Sequence, residues 1–139
     1  MDLETAVELT RKRYKNSFES FLNVKFTKYS EGSCEIELEV GENHLNIARA
    51  VHGGVINAMC DIALSGAVTC NFADIKAAEA VVTMQMNVYF LKPGMPGDTL
   101  IAYAEVVKAG RTIYYVEGGV KTKEGKLVAR ANGNWFVKK

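Results

Sequence analysis

The chain is sparing with the residues that most readily declare a chemistry: its 139 positions hold two histidines, three cysteines, two prolines and one tryptophan. With two histidines and no G-x-S-x-G, a serine hydrolase would lack its nucleophile elbow. No G-x-x-x-x-G-K-[ST] occurs, so "GVKTKEGKL" reads as a hairpin turn and not as a phosphate loop. Cys34, Cys60 and Cys70 are odd in number and form no C-x-x-C pair, which argues against a disulfide framework or a zinc site. His44 has no companion ligands, and no metal or other cofactor is expected.

Charge is equally short of bias. Seventeen basic residues against sixteen acidic ones leave a formal net charge of +1, which argues against a general polyanion binder, and no nucleic-acid partner is expected. Residues 53–73 are long enough for a membrane span, but Asn57, Asp61 and Asn71 interrupt them and no basic flank adjoins. Glu4 and Glu8 likewise break up the start of the chain, against a secretory signal. The expectation is a cytoplasmic protein without a membrane partner. Its length, with 48% hydrophobic and 24% charged residues, suits one domain over residues 1–139.

What is present is a clear order of periodicities. Leu3, Val7, Tyr14 and Phe18 fall at helical spacing, predicting an N-terminal amphipathic helix over about residues 3–20 that caps an apolar surface. "FLNVKFTKYSEGSCEIELEV" alternates on either side of Glu31-Gly32, as two antiparallel strands do. The Ala-rich stretch 53–73 reads as a buried central helix. Four strands follow, divided by "KPGMPGD", Ala109-Gly110 and Glu124-Gly125. This order gives an α+β class, with a curved antiparallel sheet wrapped around one long helix. Such a sheet has open edges and an exposed outer face, which favours a homo-oligomer.

Within "VHGGVINAMCDIALSGAVTC" only Asp61 is charged. Burying a carboxylate among small and apolar side chains is costly unless it is paired or hydrogen-bonded. Either the acid does chemistry, or it is structural and bonded to a neighbour such as Thr83 or Asn87. A helix beginning near Gly53 leaves the N–H groups of Gly53, Gly54 and Val55 without intrahelical partners, a ready site for an oxyanion, and His52 falls at the N-cap. Asn46, in the preceding loop, offers a side-chain amide. His52 and Asp61 are nine positions apart. That spacing sets them about 13 Å apart along the axis and on opposite faces. One chain cannot easily bring both to one carbon, whereas two antiparallel helices across a two-fold axis can.

The pattern N-x-x-x-x-x-HGG at Asn46–Gly54, followed by Asp61, resembles the hotdog-fold acyl-CoA thioesterases of the PaaI-like, phenylacetate-associated branch. "TMQMNVYFLKP" and "AGRTIYYVEG" are similar to that family's strand after the helix and its later hairpin, and the likeness runs from about residue 22 to Trp135. It implies a hotdog fold and hydrolysis of acyl-CoA substrates with aromatic or medium-chain acyl groups. Asp61 would be general base or nucleophile, Gly53 the oxyanion donor, and Thr83 the residue that positions water. Asn46 and His52 would orient the thioester, and Gly54 would let it approach the backbone. Lys92, Lys108 and Arg111 stand at strand ends where a CoA phosphate would dock. Ile47, Met59 and Tyr89 would set pocket depth. The resemblance further implies a homodimer or homotetramer with sites between subunits.

Plainer readings stand beside these: a helix cap for His52, close packing for the glycines, an ordinary strand residue for Thr83 and a solvated rim for the cations. A non-catalytic acyl-CoA binding module and a hydratase or dehydratase are the alternative functions.

Overall fold

The computed structural model describes residues 15–70 and 80–138, together with Glu4, Thr5, Glu8 and Lys12. A short helix α1 (Phe18–Leu22) leads into strands β1 (Lys25–Ser30) and β2 (Ser33–Glu39). After a 3-10 turn at Glu42–His44 comes the long helix α2 (Gly53–Thr69). Strands β3 (Val81–Phe90), β4 (Thr99–Ala109), β5 (Ile113–Thr122) and β6 (Leu127–Val137) complete the chain. The six strands form one antiparallel sheet in the order β1-β2-β4-β5-β6-β3. The α+β order expected from the sequence is therefore present.

The sheet curls because one helix has to cover it. α2 runs along β3: Gly53 lies against Phe90 and Asp61 bonds Thr83, near opposite ends of that strand. Yet α2 touches all six strands. Six strands span about 24 Å across the sheet, while a helix is about 10–12 Å wide, so the sheet must fold around it. Alternation supplies the apolar lining: Cys34, Ile36 and Leu38 on β2 and Leu100 and Ala102 on β4 are fully buried. Small residues set the approach. A Cβ added at Gly66 would lie 2.6 Å from Cys34 Sγ, so α2 meets β2 at a distance that only glycine permits.

Three details depart from the sequence reading. α2 ends at Thr69, with Cys70 as its C-cap, and residues 71–73 lie outside the described residues. Nor is α2 buried all round: Gly54, Asn57, Ala58, Asp61 and Ser65, at helical spacing, form a half-exposed stripe. At the N-terminus, Leu3, Val7 and Tyr14 lie outside the described residues, while Glu4, Thr5, Glu8 and Lys12 are helical. Asn16 takes a left-handed conformation (φ 64°), Ser17 caps a new helix, and Asn23 (φ 65°) ends it. This break leaves Phe18 58% exposed, so only Leu22 of α1 caps the core.

Cys34 and Cys60 are buried and Cys70 is half-buried. Burial is the main cause that pushes the Cys60 and Cys70 thiols up from an ordinary 9.0 to about 12, and Asp61 adds to the effect at Cys60. In the unfolded chain these thiols ionise first, so the folded state holds more protons between those values. Melting temperature should accordingly be insensitive to these groups below pH 9 and fall as pH rises toward 12. Thermal unfolding against pH tests this, and Cys60→Ala should make the fall shallower.

Candidate active site

The loop before α2 is held by its own backbone. Asn46 N–H donates to the Ala50 carbonyl (2.7 Å), and Asn46 Oδ1 accepts from the N–H groups of Ala48 (2.9 Å) and Ala50 (3.1 Å). With its oxygen so used, the amide NH₂ of Asn46 has no acceptor among the described residues. Arg49, in the left-handed region at φ 66°, closes the turn and pairs with Glu42. His44 braces the loop: its Nδ1 accepts from Gly41 N–H (2.9 Å), and its Nε2 lies 2.9 Å from the Leu22 carbonyl oxygen. Both ring nitrogens thus serve the backbone.

At the start of α2 the donors are not equivalent. His52 is the N-cap, and its Nδ1 accepts from Gly54 N–H at 2.8 Å. Val55 N–H is taken by the His52 carbonyl at 2.9 Å. Of the three donors expected to be open, only Gly53 N–H lacks an acceptor among the described residues. Gly54 is glycine for the sake of the cap, since a Cβ there would lie 2.9 Å from His52 Nδ1.

Asp61 sits two turns further on, half-exposed, and accepts a hydrogen bond from Thr83 Oγ1 at 2.7 Å. An irregularity in β3 makes that contact possible. β3 carries one extra residue, Met84, opposite β6, so Thr83 pairs with Trp135 while Gln85 pairs with Asn134. The extra residue turns Thr83 to the helix side together with Met86. An open cavity of about 560 Å³ lies over the pair, lined by Phe18, Gly54, Asn57, Ala58, Asp61, Thr83 and Met86. Phe18 and Met86 escaped the sequence reading. Asn57 and Ala58 were detectable as the positions three or four residues from Asp61 and Gly54.

A second cavity, of about 340 Å³, holds Lys108 and Arg111 together with Thr112, Tyr115 and Asn134. Tyr115 donates to Glu117 Oε1 (2.9 Å), and this bond raises the phenol above its ordinary 10.0. Lys92 is exposed beyond β3 and lines neither cavity. Met59 lies fully in the core, so it does not reach either cavity, whereas Ile47 at the loop tip and Tyr89 on β3 are exposed. The chain thus brings Asp61 together with Thr83, and Lys108 with Arg111. It keeps Gly53 about 12 Å from Asp61 along the helix axis.

The architecture, a six-stranded antiparallel sheet on one long helix, is shared with known enzymes. The thioesterase superfamily model matches residues 49–129, more than half of the chain, and the protein belongs to that superfamily. Within it the chain is PaaI-like: it is 29% identical to acyl-coenzyme A thioesterase PaaI of Escherichia coli over 81% of this chain and 76% of that protein. A hypothetical thioesterase protein of Streptococcus pneumoniae, solved with coenzyme A, shares 28% identity over 85% of this chain and 90% of that one, with a TM-score of 0.76. Zebrafish thioesterase superfamily member 2 has the same hotdog fold, with a TM-score of 0.87 over 99% of each chain.

The cap can be tested directly. His52→Ala removes the acceptor from Gly54 N–H and should cost about 0.5–2 kcal/mol in urea unfolding. Equal stability of the two proteins would show that the cap contributes nothing.

Proposed function

We propose that this protein hydrolyses acyl-CoA thioesters at sites formed between two of its chains. The observation that carries this reading is the Asp61–Thr83 hydrogen bond facing an open cavity, in a helix whose Gly53 N–H, without an acceptor among the described residues, lies about 12 Å back along the axis. Asp61 acts on the thioester carbonyl carbon, as base toward a water held by Thr83 or as the attacking group itself. The oxygen that becomes negative is received by Gly53 N–H and the Asn46 amide. Where water attacks, the C–S bond breaks to release the acyl group as free acid, and the proton Asp61 took from that water passes to the departing CoA thiolate. Where Asp61 itself attacks, breaking the C–S bond leaves the acyl group as an anhydride on its carboxylate, and CoA leaves as a thiolate protonated from water. A water then hydrolyses the anhydride to free acid and Asp61. Preorganised donors of this kind contribute about 10²–10³-fold each. His52 serves by fixing the helix start and by choosing Gly53 as the free donor.

The missing half of each site is supplied by a second chain along β3. This strand is the sheet edge, and Val82, Met84, Tyr89 and Phe90 on it are exposed. An open apolar edge invites an antiparallel copy of itself. Opposed residues must share a face, and the extra residue Met84 makes a two-fold axis at Asn87 consistent. Met86 then opposes Val88, Gln85 opposes Tyr89, and Thr83 opposes Phe90 of the second chain. Since Gly53 lies against Phe90, the second chain's Gly53 arrives beside Asp61 and Thr83. Two such dimers would make the tetramer.

CoA is held through its phosphates by Lys108 and Arg111, with Lys92 contributing at the rim. The acyl group, aromatic or medium-chain, lies against Phe18 and Met86. The reaction needs no cofactor, and the cytoplasm is its proposed compartment.

Thiol release should be measured on phenylacetyl-CoA, benzoyl-CoA and straight-chain acyl-CoAs. Asp61→Asn should lower turnover about 10²–10⁴-fold while acyl-CoA binding persists. Binding without turnover in the wild type would instead identify an acyl-CoA binding module with a structural acid. The register has its own test. Asn87→Cys should cross-link into a covalent dimer on oxidation, and a protein that stays dimeric without cross-linking would refute the axis.

A further inference from the structure

We propose that Ser65 and Trp135 are positioning residues for Asp61, fixing α2 on the sheet so that the carboxylate meets Thr83. The inference rests on the thioester hydrolysis proposed above and adds two side chains that touch no substrate. Ser65 lies one helical turn beyond Asp61 on the same half-exposed stripe. Trp135 is the β6 residue directly opposite Thr83 in the β3–β6 ladder. Two helix-to-sheet hydrogen bonds therefore run side by side: Thr83 Oγ1 to Asp61 Oδ1 at 2.7 Å, and Trp135 Nε1 to Ser65 Oγ at 2.8 Å. The four residues close a ring, joined by a helical turn on one side and by a strand pairing on the other. One turn advances about 5.4 Å and neighbouring strands lie about 4.8 Å apart, so a single placement of the helix satisfies both bonds.

The two bonds differ in rigidity. Trp135 is fully buried, and a buried indole N–H requires an acceptor, which Ser65 supplies. Thr83 stands on the exposed edge strand. The Trp135 bond is thus the fixed one, and the catalytic contact inherits its geometry.

The test uses the whole enzyme with Ser65→Ala, Ser65→Thr and Trp135→Phe. Ser65→Ala should lower kcat about tenfold to a hundredfold with KM little changed, as a displacement near 1 Å does. Ser65→Thr keeps the hydroxyl and should restore kcat. Trp135 is the chain's one tryptophan, so its fluorescence reports the bond without a substrate, and Ser65→Ala should shift its emission. In a Thr83→Ala background, Ser65→Ala should add little further loss, because both act through one contact. Should Ser65→Ala fail to fold, Trp135→Phe carries the same expectations for kcat and KM. A lowered melting temperature with kcat unchanged, or losses that multiply independently of Thr83→Ala, would overturn the inference. The reading beneath it fails separately, if Asp61→Asn keeps full turnover.

Discussion

The constraint on which the rest depends is that one helix must serve as the core for six strands. α2 touches every strand, and the sheet has to close around it to make that possible. Closure in turn demands small residues where the helix comes near, as at Gly66 against Cys34. It also leaves β3 at the end of the sheet, paired on one side by β6. The half-exposed stripe of α2 lies beside that strand. The acid at Asp61 is tolerated because the wrapping stops there: its partner is a hydroxyl on the edge strand and its other side is open.

A division of labour runs along α2. Its first turn holds a donor, its middle an acid, and its far end is packed into the core with Ile62–Leu64 and Ala67–Val68 buried. Burial decreases from the core toward the edge strand. The buried end sets where the helix lies, and the half-exposed stripe does the chemistry we propose. The two-chain sites we propose follow from this layout, because a straight helix cannot fold its own beginning back upon its middle.

Much of this was legible in the chain. The alternation through Ile36 and Leu38, the glycine turns and the run from Gly53 to Thr69 declare the order of elements because each is a local pattern. The residues HGG and Asp61 stand out by composition. Phe18 did not declare its place, because the left-handed turn at Asn16 carries no hydrophobic signal and resets the helical phase. The half-exposure of Asp61 depends on β3 being an edge, which is a property of strand order. Nor does sequence spacing reveal that His52 occupies Gly54 N–H and leaves Gly53 alone, since that turns on the direction of one imidazole ring. The facing of Thr83 hangs on the single extra residue Met84, which interrupts an otherwise regular alternation.

The selective capping at the start of α2 has a consequence for which anions it can hold. Helix starts that cradle phosphate present several backbone N–H groups to a tetrahedral ion. Here the His52 ring and carbonyl have already claimed two of them. What is left is a single backbone hydrogen bond, suited to one oxygen atom at a trigonal or newly tetrahedral carbon and poorly suited to a multivalent oxyanion. Free phosphate and the phosphates of a nucleotide therefore have little reason to lodge at this point, and the helix start discriminates by offering less than it otherwise would.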